Sequence, residues 1–389
     1  MKKEYGLVLT GGGSKGAYEV GAYKALKEMN INITAIVGTS IGAINGAMMI
    51  QYDFDEIHDF YKNIQIKNLM DLDTEIDESK NIFYIKNLVK LAKDYTRKKG
   101  FSNEPLKKML VDNLDLDKIY NSDIDYGVMT YSKKTKEPVE IFKNDVTKEE
   151  LIEYILASAC FPIYKAQKIK DDELIDGGFY DNMPINMLAK KGYKNIIVLD
   201  VNGIGFFKNV EKRDLYVKMI RTSEYLGGTF ELNKDLIEKN IKLGYLDTLK
   251  AFNKLQGHIF YFSTKEFFKL LRKFSLDEIY GLETAARIYK MDKYKIYTAK
   301  EFLNELKEKH EKASKKYEKI RANQNKIIFK EIKNLMEIVN KGLGVCFFEE
   351  LIEKNPKERD GIYKLMFSEY ISAAIGMIEL ANMDELDYE

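Results

Sequence analysis

Twice within its first 50 residues this chain passes from a short apolar run through glycine directly into a helical pattern. Tyr5–Thr10 (YGLVLT) runs into Gly11-Gly12-Gly13-Ser14-Lys15-Gly16, after which Ala17, Val20, Gly21, Tyr23, Ala25 and Leu26 recur at helical spacing. Ile33–Val37 runs into Gly38-Thr39-Ser40-Ile41-Gly42 and the apolar helix Ile41–Ile50. Strands this apolar leave no face for water, so they belong inside a parallel or mixed sheet covered on both sides.

The alternation continues to about residue 205. Residues 51–122 read as mostly helical, with polar joints at Asp71–Lys80 and Arg97–Asn103. Asp125–Tyr131 and Pro138–Phe142 flank Lys133-Lys134-Thr135-Lys136 as a hairpin, and Leu151–Ala159 is a helix stopped by Phe161-Pro162. Strand signals at Lys165–Ile169 and Glu173–Ile175, a helix near Pro184–Lys191 and the strand Asn195–Val201 follow. Beyond residue 205 strand signals become rare, His258–Phe262 excepted, and Thr298 to about Asn340 reads as one long helix. The expected division is an α/β domain over residues 1–205, extendable to about 265, and a mainly helical region over 206–389 of unassigned role.

Composition excludes several classes. Of 389 residues, 62 are Lys or Arg and 61 Asp or Glu, so the basic excess that marks nucleic-acid binding is absent. Cys160 and Cys346 cannot build a disulfide framework, and none of His58, His258 and His310 has a His or Cys at ligand spacing, so no metal is expected. Ile371–Ile378 is too short to span a bilayer and no targeting segment is visible, which points to the cytoplasm. The one strong local charge bias is Lys307–Lys333, with ten basic and four acidic residues: a solvated helix face, or a face drawn to anionic lipid.

The glycine loop is an anion cradle, because backbone N–H groups at a helix start lack intrahelical partners. It matches G-x-G-x-x-G, but the second strand carries no carboxylate for a ribose, and Ala17-Tyr18 after Gly16 rules out a Walker A loop. The remaining choices are an oxyanion hole or a plain turn. Gly38-Thr39-Ser40-Ile41-Gly42 matches G-x-S-x-G between strand and helix, a tight turn that lifts a serine to the carboxyl edge of a sheet. A serine beside N–H donors describes acyl transfer better than nucleotide binding. Its base would not be a histidine, since none sits in a turn at a strand end. Asp176, followed by Gly177-Gly178, does, and would take the Ser40 proton directly; Asp200 and, more weakly, Asp181 compete.

In order, G-G-G-x-K-G, G-T-S-I-G and D-G-G resemble the patatin-like phospholipase family, with Lys15 where that family carries Arg or Lys. Ala157-Ser158-Ala159-Cys160-Phe161-Pro162 also resembles the family's segment before the aspartate. The resemblance covers roughly residues 5–202, with weaker similarity over Asn233–Phe252. It implies a three-layer α/β sandwich with a mostly parallel sheet, and a serine ester hydrolase using Ser40 as nucleophile and Asp176 as proton acceptor. It further implies Gly11, Gly12 and Gly13 as the oxyanion hole with Lys15 nearby, and Gly16, Gly38, Gly42, Gly177 and Gly178 as supporting glycines. No cofactor is implied; the substrate would be a phospholipid or other fatty-acyl ester met at a membrane surface. The contrasting possibility is a non-catalytic lipid- or partner-binding protein with a vestigial site. Oligomeric state is not legible.

Overall fold

β1 (Glu4–Leu9) and β2 (Asn32–Thr39) lie parallel, with Leu9 in register with Gly38. Leu7, Val8, Leu9, Ile36 and Val37 are wholly buried, so both strands sit inside the sheet as their apolar runs require. The computed structural model describes residues 3–73, 85–323, 332–361 and 363–383. The chain divides into two compact units, Met1–Leu249 and Lys250–Glu389.

The first unit is built on one sheet of strand order β5-β6-β3-β2-β1-β7-β8. Its further strands are β3 (Asp125–Ser132), β4 (Pro138–Phe142), β5 (Gln167–Ile169), β6 (Asp172–Asp176), β7 (Asn195–Asp200) and β8 (Tyr216–Arg221). From β3 through β8 the neighbours run parallel, while β4 and β6 pair antiparallel with β3 and β5 with β6. The helices are α1 (Ala17–Glu28), α2 (Ile41–Gln51), α3 (Phe54–Asn63), α4 (Ile85–Lys98), α5 (Glu104–Asn113), α6 (Leu116–Asn121), α7 (Lys148–Ser158), α8 (Ile185–Lys190) and α9 (Lys234–Ala251). α2 packs on Leu9 and Ile36, against which a Cβ at Gly46 would press. α8 covers the opposite face, setting Ile185, Met187 and Leu188 against Val8, Val37 and Val198. Helices therefore cover both sheet faces, the mixed α/β architecture the patterns predict.

β8 departs from the expectation that strands become rare beyond residue 205. It pairs with β7 over Tyr216–Arg221 as the edge of the parallel sheet. Its exposed Tyr216 and Met219 and its charged Lys218 and Arg221 dilute the apolar run that marks an interior strand.

The second unit is mainly helical: α10 (Thr264–Leu271), α11 (Leu276–Ile288), α12 (Ala299–Asn323), α13 (Ile332–Asn340), α14 (Gly344–Lys354) and α15 (Tyr363–Ala381). The expected helix from Thr298 to Asn340 is present as α12 and α13; residues 324–331 between them, and with them part of the basic stretch Lys307–Lys333, lie outside the described residues. Ile371, Ala373, Ala374 and Met377 of the apolar stretch in α15 belong to this unit's core, and no helix among the described residues is long and apolar enough to cross a membrane. A small sheet of β9 (Leu255–Gln256), β10 (Tyr261–Ser263) and β11 (Ile296–Tyr297) packs Phe262 edge-on against Phe302, ring centres 5.1 Å apart. The strand signal at His258–Phe262 thus resolves into β10 and a preceding turn. That turn donates the N–H groups of His258, Ile259 and Phe260 to the buried carboxylate of Glu283. Glu283→Ala strips the acceptor from three backbone donors and is expected to cost roughly 3 kcal/mol, read as a lower urea midpoint, with Glu283→Gln intermediate.

Candidate active site

β3 serves as a common ruler for the serine turn and the aspartate turn singled out from the sequence. Thr39, the last residue of β2, is in register with Met129, and Asp176, the last residue of β6, with Thr130. Ser40 follows Thr39, so adjacent rungs of one strand bring serine and aspartate together. On the other side of β2, the pairing of Leu9 with Gly38 delivers the glycine loop to the same edge. Gly11, Gly12, Gly13, Ser40, Asp176 and Asn182 line one cavity there, with Phe161, Ile204 and Thr229.

Ser40 sits at φ 57°, ψ −123°, a region that costs a non-glycine residue about 1–3 kcal/mol. The surroundings hold it in place. Its N–H donates to Ser158 Oγ (2.9 Å), which donates to the Met129 carbonyl (2.6 Å), and its carbonyl accepts the Ala43 N–H (3.0 Å). The turn admits only glycine at its flanks: a Cβ on Gly38 would lie 2.2 Å from the Gly42 carbonyl carbon, and one on Gly42 2.4 Å from the Leu9 oxygen. The Ser40 hydroxyl does not cap its own helix; it shares a cavity with the Asp176 carboxylate and lies near enough to favour that carboxyl's charged form.

Asp176 is buried and accepts the Gly178 N–H at 2.8 Å. Burial pushes its carboxyl up to about 6, and the hydrogen bonds from Gly178 and Ser40 pull the other way. At neutral pH it is therefore a carboxylate poised near its own proton affinity. The competing acids are engaged in turns. Asp200 accepts the Asn202 N–H (2.8 Å) with Arg221 3.5 Å away, and Asp181 accepts the N–H groups of Met183 (3.0 Å) and Lys208 (3.4 Å). His58 Nε2 lies 2.7 Å from Glu238, its ring stacked on Phe54. His258 and His310 belong to the second unit.

In the glycine loop, Gly13 adopts φ +62°, and a Cβ there would lie 2.0 Å from the Thr229 oxygen. The loop is fastened by the Ser14 N–H to that oxygen (2.8 Å) and by Ser14 Oγ to the Gly228 carbonyl (2.8 Å). The three glycines are not equivalent. Gly11 donates its N–H to Asn182 Oδ1 (3.1 Å) and accepts from Asn182 Nδ2 (3.2 Å), whereas the N–H groups of Gly12 and Gly13 make no hydrogen bond among the described residues. Lys15 Nζ donates to the Asn202 carbonyl (2.9 Å); partial burial lowers its affinity for a proton while Asp200 raises it. No local pattern marks Asn182, whose partner is 171 residues away in the chain. Ser158 lies in the segment singled out from the sequence, although its bond to Ser40 is a tertiary fact.

Behind the loop, Asn45 of α2 donates to the Gly16 carbonyl (3.1 Å) and to Glu19 Oε2 (2.7 Å) and accepts from Tyr61 Oη (2.9 Å). This brace ties the start of α1 to the helix that carries Ser40. Glu19 is wholly buried, and desolvation holds its carboxyl well above the usual range. A carboxyl raised in the folded state adds stability below its unfolded pKa and loses it as pH rises through the folded value. Glu19→Gln, which mimics the protonated acid, is therefore expected to melt increasingly above wild type as pH goes from about 5 to about 9. A difference in melting temperature that does not change with pH would contradict this.

An apolar cavity opens from the same serine, walled by Ile44, Phe60, Leu106, Met109, Phe161 and Phe230. Such walls suit a hydrocarbon chain.

Residues 7–189 match the family described as patatin-like phospholipase. The uncharacterized protein YqhO of Bacillus subtilis is 24% identical over 254 residues, covering 59% of this chain and 79% of that one. Lysophospholipase NTE1 of Candida albicans is 26% identical over 213 residues, covering 51% of this chain but only 13% of that much longer protein. Among solved structures, VipD from Legionella pneumophila aligns over 97% of this chain and 90% of its own at 14% identity and a TM-score of 0.41, a likeness too loose to carry weight. The patatin-like phospholipase match thus lies on residues 7–189, the segment that carries the glycine loop, Ser40 and Asp176.

Proposed function

We propose that the protein is a lipid acyl hydrolase that cleaves fatty-acyl esters of phospholipids or lysophospholipids through a Ser40–Asp176 dyad. The observation that carries this is one cavity that holds Ser40, the buried Asp176 carboxylate, and the N–H groups of Gly12 and Gly13, which make no hydrogen bond among the described residues. Asp176 accepts the proton as Ser40 Oγ attacks the ester carbonyl. The oxyanion that forms is met by the Gly12 and Gly13 N–H groups, each such donor being worth about 3 kcal/mol in a dry site. Gly11 contributes differently: its N–H is held by Asn182, which keeps the loop in shape. Lys15, bonded to Asn202, anchors the far side of the loop. The departing alcohol takes the proton from Asp176, leaving an acyl-Ser40. The same carboxylate then deprotonates a water that releases the fatty acid and restores the serine. A direct Ser–Asp exchange leaves the histidines without a catalytic task. The apolar cavity at Ser40 and the lysophospholipase relatives support a lipid acyl chain as the group transferred.

Ser40→Ala and Asp176→Asn are each expected to lower kcat on short acyl esters and on phospholipid by roughly 1,000-fold or more, without added calcium and with a nearly unchanged melting temperature. Because the reactive form is the carboxylate, kcat/KM falls with unit slope as pH drops below about 6. Wild-type turnover by Ser40→Ala overturns the proposal.

The loop at the cavity mouth supports a contact with the membrane surface. Ile204, Phe206 and Phe207 are 76%, 65% and 51% exposed. The loop is held by the Phe206 N–H to the Gly178 carbonyl (2.9 Å) and by the Asn182 N–H to the Phe206 carbonyl (2.7 Å). Lys208, Lys212 and Arg213 follow, so aromatic side chains lead and cations trail, the arrangement that suits an anionic lipid interface. Replacing both Phe206 and Phe207 by Ser is expected to weaken anionic-vesicle binding and hydrolysis of vesicle phospholipid about tenfold. Turnover of a soluble ester should persist; equal loss on both substrates would show damage to the site instead.

A further inference from the structure

In the second unit the fold brings a histidine to a cysteine and a glutamate that lie one helical turn apart on another helix, all three able to ligate a metal. His310 projects from α12, and Cys346 and Glu349 project from one face of α14. One donor atom from each lies within 4.8 Å of the others, and His310 Nε2 is 3.3 Å from Glu349 Oε2. Two donors about 2.0 Å from a tetrahedral ion lie about 3.3 Å apart, so this edge is already at coordination spacing.

The surroundings are those of a ligand set. Tyr289 Oη lies 2.8 Å from His310 Nδ1, the hydrogen bond that fixes a metal-bound imidazole in the tautomer that frees Nε2. Ser314 Oγ stands 3.3 Å from His310 Nε2 and 3.6 Å from Cys346 Sγ, where it or a water would complete four-coordination. Cys346, Glu349 and His310 are only 4%, 14% and 21% exposed, in a core of Phe348, Val345 and Leu343. Among the described residues no lysine or arginine pairs with Glu349, whereas the adjacent Glu350 holds Arg321 and Lys354. A carboxyl, an imidazole and a thiol turned toward one another in an apolar core, with no lysine or arginine on the acid among the described residues, are the nitrogen, sulfur and oxygen donors that a transition-metal ion takes.

We propose that His310 Nε2, Cys346 Sγ and Glu349 Oε2 form a three-ligand site for zinc(II), with Ser314 or water in the fourth position. The sulfur and nitrogen donors select zinc over calcium or magnesium, which take oxygen ligands. Binding expels the thiol proton of Cys346 to solvent. The ion cross-links α12 to α14 and holds Tyr289, just beyond α11, through His310. Its place is structural, and it stands apart from the serine chemistry.

The test uses the full chain, stripped with a chelator and titrated with zinc(II) or, as a spectroscopic stand-in, cobalt(II). The expected result is a single tightly held ion per chain, a thiolate-to-cobalt charge-transfer band with the intense visible bands of four-coordinate cobalt, and a melting temperature raised by zinc. Cys346→Ser should lose the charge-transfer band, and His310→Ala should weaken zinc binding at least about tenfold. Tyr289→Phe, a positioning change, should weaken it about tenfold while preserving the cobalt spectrum. A wild-type chain with no thiolate–cobalt band overturns the proposal, whatever the variants do. So does a band that persists in Cys346→Ser, which would move the ligand to Cys160.

Discussion

A serine on a strained turn and a buried carboxylate, brought into one cavity by adjacent rungs of a β-strand, are the constraint on which the first unit depends. Burying Asp176 costs free energy, as the upward push on its carboxyl records, and Ser40 stands in a backbone region that disfavours side chains. Neither would persist on a soft scaffold. They persist because β2, β3 and β6 over-determine the positions of Thr39, Met129, Thr130 and Asp176 through backbone pairing, and because the strands are interior to a sheet covered on both faces. Energy stored in two residues is balanced by packing spread over the whole sheet.

Side-chain braces convert that sheet edge into a site. Ser158 holds the Ser40 amide, Asn182 holds Gly11, and Asn45 links the glycine loop to the serine's helix. Each of these is a buried polar group with satisfied partners, so each adds rigidity as well as energy. Asn182 and the amide of Phe206 also fasten the exposed aromatic loop beside the cavity, so that loop and the glycine loop are braced by the same asparagine. The second unit has an organising polar centre of its own, in which His310, Cys346 and Glu349 do the joining.

The parts legible in advance are those whose signal is local. Gly38-Thr39-Ser40-Ile41-Gly42 announces a turn because a Cβ on Gly38 would strike the Gly42 carbonyl within the same five residues, whereas the crowding at Gly42 comes from Leu9 of β1 and is tertiary. Asp176 is readable because Gly177-Gly178 follow it at a strand end. β8 was not readable: an edge strand shares its alternating exposed and charged residues with many loops. Nor was the division of labour among Gly11, Gly12 and Gly13, three identical residues distinguished only by a distant asparagine. The absence of metal-ligand spacing was a true statement about sequence that did not carry over to space. Cys346 and Glu349 are one helical turn apart, and the packing of α12 on α14 supplies the histidine.

By itself, then, the sequence determined the class of sheet, the two turns, and which serine and aspartate stand at their strand ends. Each of these is dictated by steric limits and hydrophobic periodicity within about ten residues. Only the tertiary structure decided which strand is the ruler between them, which N–H groups are left without partners and which polar side chains brace the loop. It also decided that a histidine of α12 meets the cysteine and glutamate of α14. Those outcomes depend on register and on helix contacts between segments tens to hundreds of residues apart, and no short stretch of chain carries that information.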